Sequence, residues 1–171
     1  MSNSINNPNA RQIAKWSLVS VTLTATITSI HHIYRLGFDM LIPAIIITIV
    51  PYLLMQAFKR WGNRLVLLTY SLFTTFIFLM FGIVDGFMDH VVKALGLQHT
   101  TFLAGGQEQI VKTVLSLWSP EAGNIFYEGT GILTFIVSVV ALYYCYRFVW
   151  LTIIASKNER VQSSEHRLRV S

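Results

Sequence analysis

Apolar residues gather into four runs along this chain of 171 residues, and each run is about as long as a bilayer crossing requires. A hydrocarbon core of about 30 Å takes roughly 20 helical residues at about 1.5 Å apiece. The first run, Trp16 to Tyr34, predicts a helix over about 16–36. Residues 1–14 before it are polar, with Asn3, Asn6, Asn7, Pro8 and Asn9, and are expected to form a disordered or frayed tail. Arg11 and Lys15 ahead of an apolar run resemble the start of a secretory signal. This run is too long for one, and it ends in His31, His32 and Arg35 without a small-residue cleavage site. It reads as an uncleaved first transmembrane helix. The alternation of threonines from Thr22 to Thr28 hints at a strand, but a single strand in lipid leaves its backbone groups unpaired.

The second run predicts a helix over about 40–58, with Pro43 tolerated in its first turn and Pro51 expected to kink it or open its backbone. A basic turn follows: Lys59, Arg60, Trp61, Gly62, Asn63 and Arg64. The third helix is expected over about 65–92, its last part polar, and the fourth over about 127–155. Between them, 96–126 form a longer connection in which 107–118 carry apolar residues at helical spacing. That pattern predicts a short amphipathic helix on the membrane surface or capping the bundle. Residues 156–171 are polar and basic and are expected to be a disordered tail. The fold class is therefore all-α: an integral membrane four-helix bundle over 15–155, with an additional short amphipathic helix in the loop between helices three and four, flanked by two polar tails.

Composition agrees with this pattern. Hydrophobic residues make up 53% of the chain and charged residues 12%, about half the charge share of an ordinary soluble domain. The net charge of +5 does not point to nucleic acid. The basic residues flank apolar runs rather than covering one polar face. Their distribution also gives an orientation. Arg11 and Lys15, then Lys59, Arg60 and Arg64, then Arg147, Lys157 and Arg160 mark one side, which predicts both termini in the cytoplasm. Compact size and short loops suggest a plasma membrane, specifically a bacterial inner membrane. The single Cys145 excludes an internal disulfide, a cysteine zinc site and a thiol–disulfide relay. Phosphate-binding glycine loops, nucleophile elbows and His-Glu-x-x-His zinc motifs are absent from the sequence.

The unusual polar residues fall at one end of the expected bundle. His31, His32 and Arg35 close helix one, and Asp39 opens helix two. Asp85, Asp89 and His90 end helix three, and Glu128 opens helix four. His31 and Arg35 are four apart, as are Asp85 and Asp89, so each pair shares a helix face. Two carboxylates on one face repel unless a cation, a proton or an arginine lies between them. His31, His32, Asp85, Asp89, His90 and Glu128 form a donor set suited to a divalent metal such as Zn, Mn or Fe. His31, Asp85, Asp89 and Glu128 are equally candidates for acid–base catalysis, with Arg35 and Asp39 binding a ligand. Each residue also has a plainer reading: interfacial histidines, a surface Arg35–Asp39 pair, solvated aspartates, and a carboxylate at a helix start. Gly86, Gly129 and Gly131 stand beside the acidic residues, where they permit close approach.

Three functional classes follow. One is a small membrane protein whose polar site binds a metal or acts on a small apolar or amphipathic ligand. Another is a non-catalytic accessory or assembly subunit of a membrane complex. The third is an electron carrier with haem held by a histidine of helix one and His90, which the neighbouring carboxylates disfavour. A channel or small transporter would need a homo-oligomer. The lipid bilayer is the expected partner throughout, alongside a homo-oligomeric or membrane-protein partner.

Overall fold

The computed structural model describes residues 8–97 and 118–170. Four long helices cross the fold: α1 (Pro8–Leu36), α2 (Leu41–Trp61), α3 (Arg64–Ile77) and α4 (Pro120–Val170). α3 continues directly into a π-helical segment, Phe78–Val91, and a closing α turn, Val92–Ala94. The stretches Pro8–Leu36, Phe38–Trp61, Arg64–Ala94 and Glu121–Lys157 are each long and apolar enough to span a membrane. The all-α membrane bundle is thus observed, and no strand occurs among the described residues. The threonine alternation is helical. The Thr24 hydroxyl donates to the Ser20 carbonyl at 2.9 Å, and Thr26 to Thr22 at 2.9 Å. In lipid this back-bonding satisfies a hydroxyl without interrupting the helix.

Several boundaries differ from the sequence expectation. α1 starts at Pro8, inside the segment expected to be a disordered or frayed tail. Proline suits a first helical position because the N–H it lacks would go unpaired there anyway. α4 starts at Pro120 instead of 127 for the same reason, aided by a cap. The Ser119 hydroxyl accepts the Ala122 N–H at 3.2 Å, and Glu121 lies in the first turn. At its other end α4 remains helical through Val170, over the stretch expected to be a disordered tail. α2 runs unbroken past Pro51, which is buried. The amphipathic helix expected over 107–118 lies outside the described residues except for Trp118, which is exposed.

The turns explain the up-and-down topology. Gly37, at φ 89°, leads from α1 into a single 3-10 turn, Phe38–Met40. Gly62, at φ 59°, ends α2 with its N–H on the Phe58 carbonyl at 2.8 Å, and Asn63 caps α3 by accepting from Leu65 N at 2.8 Å. α3 and α4 are antiparallel neighbours. Arg64 at the start of α3 bonds Ser156 late in α4, and His90 at the far end of the π segment bonds Glu128 early in α4.

The core is built from small and hydroxyl-bearing residues. α4 turns Gly131, Thr134, Ser138, Ala141, Cys145 and Phe148 inward at alternating spacings of three and four. α1 contributes Ser17, Val21, Thr24, Ala25 and Thr28. Small residues let helices approach closely where no hydrophobic effect drives them together. The contact extends across Gly82 and Gly86 of the π segment. A Cβ added at Gly86 would meet the Gly131 carbonyl oxygen at 2.8 Å and Phe135 N at 2.9 Å. α2 is peripheral: Ile42 is 70% exposed, and Ile45, Ile46, Ile49 and Leu53 face outward with it. An apolar outer face of this kind is what lipid requires and water does not tolerate.

Candidate metal centre

Three of the four helices bring ionisable side chains to one end of the bundle. α1 supplies His31 and Arg35 from its last turns, the π segment supplies Asp85, Asp89 and His90, and α4 supplies Glu128. His31, Arg35, Asp85, Asp89 and His90 are all buried. Asp39 is exposed on the 3-10 turn, outside this cluster, so α2 and its lead-in contribute nothing to it. His32 is half-buried. Its Nδ1 donates to the Thr28 carbonyl at 3.0 Å, and its ring lies edge-on to Phe81.

The π geometry decides which residues share a face. In an α-helix Asp85 and His90, five apart, point roughly 140° away from each other. The i→i+5 bonding of a π-helix puts more than four residues in each turn. Residues i, i+4 and i+5 then point the same way, and Asp85, Asp89 and His90 all turn inward. The i, i+4 face read for the two aspartates is thereby widened to admit the histidine.

Hydrogen bonds fix both imidazoles. The one proton of the Thr130 hydroxyl is directed to the Phe126 and Tyr127 carbonyls, at 2.8 and 3.0 Å. Thr130 Oγ1 must therefore accept from His31 Nδ1, which lies 2.9 Å away. His90 Nδ1 donates to Glu128 Oε2 at 2.8 Å, and Glu128 Oε1 accepts from Lys93 Nζ at 2.6 Å. With Nδ1 donating in each ring, Nε2 of the neutral imidazole carries a lone pair. Among the described residues, His31 Nε2, His90 Nε2 and Asp85 Oδ2 are buried without a hydrogen-bond partner in the protein, as are Thr28 Oγ1 and Tyr34 Oη. His31 Nε2 and Asp85 Oδ2 lie 3.7 Å apart. One ligand atom from each of His31, Asp85 and His90 lies within 4.8 Å of the others.

Three acceptor atoms that face one another in a buried site repel unless something electropositive lies between them. Arg35 supplies part of that, with Nη1 3.5 Å from Asp85 Oδ1 and 4.0 Å from Asp89 Oδ2. It approaches the other oxygen of Asp85 and leaves Oδ2 to the histidines. Three carboxylates, Asp85, Asp89 and Glu128, stand against two side-chain cations, Arg35 and Lys93. Around a metal with ligand bonds of about 2.1 Å, tetrahedral donors sit roughly 3.4 Å apart. The His31–Asp85 separation of 3.7 Å is close to that figure, and a pair at the full 4.8 Å spread needs a contraction of about 1.4 Å to reach it.

Packing holds the donors in place. Tyr127 stacks on His31 with ring centroids 4.5 Å apart and meets His90 edge-on at 4.9 Å. His31 and His90 are themselves edge-to-face at 4.9 Å. Gly131 is obligatory here, because a Cβ at that position would overlap the His90 ring. Gly129, the other glycine of Glu-Gly-Thr-Gly, faces open space. Tyr127, Thr130 and Lys93 were not singled out from the sequence. Tyr127, Thr130 and Gly131 do share the inward α4 register of Thr134 and Ser138, which is the one signal that could have found them.

No known protein family, characterised protein or solved structure matches this chain.

Proposed function

We propose that this protein binds a divalent first-row metal ion, Zn, Mn or Fe, through His31 Nε2, His90 Nε2 and Asp85 Oδ2 at one end of its transmembrane bundle. The observation that carries this reading is the convergence of three buried side chains whose His31 Nε2, His90 Nε2 and Asp85 Oδ2 have no hydrogen-bond partner in the protein. Two imidazoles and one carboxylate are a donor set for zinc or non-haem iron, and three protein ligands leave coordination positions open. Glu128 on His90 Nδ1 is the outer carboxylate that commonly orients a ligating histidine and raises its basicity. Thr130 does the same for His31 without adding charge. An open position beside Arg35 suits a small ligand with an anionic or strongly polar group, and the lipid-facing bundle suits an amphipathic one. Asp89, held near Arg35, is the candidate acid–base group of that site. The flanking basic residues favour an orientation with this centre on the outer side of a plasma membrane.

The haem alternative fits this geometry poorly. The His31 and His90 rings touch each other, and Asp85 occupies the same space, so a macrocycle has no room between them.

Elemental analysis of the full-length protein, purified in detergent without chelator, tests the proposal. Near-stoichiometric zinc, manganese or iron is expected, with loss of most of it in His90→Ala and in Asp85→Ala. Metal-free native protein that also takes up none of the three ions on titration would refute it.

A further inference from the structure

A cleft lies at the opposite end of the bundle. Arg64, Leu67, Leu68 and Ser71 of α3 and Val149, Thr152, Ile153, Ser156 and Lys157 of α4 line this space of about 420 Å³. Its chemistry is graded. Arg64 and Lys157, both exposed, stand at one end. Hydroxyls of Ser71, Thr152 and Ser156 lie along it, and leucine, valine and isoleucine side chains form the rest. Arg64 Nη2 donates to Ser156 Oγ at 3.4 Å, which draws the guanidinium over the cleft. Among the described residues, no carboxylate lines it.

Its depth in the membrane follows from helix length. From Arg64 to Asp85 the helix rises roughly 30 Å, about one hydrocarbon thickness. If the metal centre lies near one interface, the cleft lies near the other. The apolar spans themselves begin at Arg64 and end at Lys157. Trp61 and Trp150 are 67% and 66% exposed at this end, as tryptophans of an interfacial belt are.

We infer that this cleft binds an anionic phospholipid, with its phosphate between Arg64 and Lys157 and an acyl chain along Leu68, Val149 and Ile153. Two cations side by side match the charge of a phosphodiester. The apolar continuation of the cleft matches a chain that free phosphate lacks. Zwitterionic lipid carries its own cation, which the two basic side chains repel.

Native mass spectrometry of the full-length protein, taken from nanodiscs of equimolar phosphatidylglycerol and phosphatidylcholine, tests this. Selective retention of about one phosphatidylglycerol is expected. Arg64→Gln combined with Lys157→Gln should reduce that retention about 30-fold, the effect of losing two cations at an anionic membrane surface. Lys59→Gln with Arg60→Gln, outside the cleft, should leave it intact. Ser71→Phe, which fills the cleft and keeps both charges, should also release the lipid. Equal retention of both lipids by the native protein, or unchanged selectivity in the double variant and in Ser71→Phe, overturns the inference. Displacement of the bound lipid by millimolar inorganic phosphate overturns the lipid assignment in favour of a phosphate site.

Discussion

Glu128→Gln is the sharpest probe of the proposed metal centre, because it changes charge and almost nothing else. Glutamine keeps the side-chain length and one carbonyl oxygen that can still accept from His90 Nδ1. It removes the negative charge that His90 and Lys93 share at 2.8 and 2.6 Å. Outer partners of ligating histidines typically contribute 10–100-fold to metal affinity. Glu128 retains 23% exposure, so water screens part of its field. The expected loss is therefore in the lower part of that range, about 10–30-fold, equivalent to about 1.4–2 kcal/mol. Glu128→Ala also frees the ring to rotate and should approach about 100-fold. Zinc affinity is read by competition with a chromophoric chelator on the full-length chain in detergent, and thermal unfolding without metal checks the fold. Asp39→Asn is the control, since Asp39 is exposed outside the cluster. Native affinity in both Glu128 variants, or an equal loss in Asp39→Asn, would show that Glu128 does not hold a ligand.

Two further substitutions test the frame around the site. In Gly131→Ala the new methyl group overlaps the His90 ring, so the ring must leave its position. The expected outcome is about 1–3 kcal/mol of destabilisation in thermal unfolding together with loss of bound metal, while Gly129→Ala, facing open space, should behave as native. Arg35→Gln leaves Asp85 and Asp89 buried without their nearest cation. A loss of about 3–5 kcal/mol is expected in unfolding experiments, partly recovered by added divalent metal, and native stability would contradict the assigned role of Arg35.

The four crossings were legible because membrane spans announce themselves by length and polarity alone, and the outer face of α2, from Ile42 to Leu53, is as apolar as that reasoning requires. The helix starts at Pro8 and Pro120 were written in the sequence too. Ser119, Pro120 and Glu121 are a cap, a first-turn proline and a first-turn acid. Hydropathy hid them, because the first turns of both helices are polar. The convergence of His31, Asp85, His90 and Glu128 was also readable, since each stands at the same end of its helix. The displacement of Asp39 from the group was not. Its residue type and helix-end position match the others, and only the turn at Gly37 and the peripheral course of α2 separate it from the cluster.

The π segment was invisible for a different reason. Burial at Gly82, Asp85, Gly86, Asp89 and His90 recurs at spacings of three and four, which an ordinary α-helix satisfies as well. The two geometries differ in how narrowly they gather the last three of those residues, and side-chain periodicity does not report backbone bonding. The wider helix brings Asp85 and His90 to one point while Gly82 and Gly86 keep the segment pressed against α4. Its position near the bundle end completes the arrangement. The donor atoms are wholly buried, yet Glu128 and Lys93, at 23% and 40% exposure, connect His90 to the surface in two contacts. A centre deeper in the hydrocarbon would leave its carboxylates no such route to water. One nearer the surface would lose the desolvation that makes three facing acceptors seek a cation.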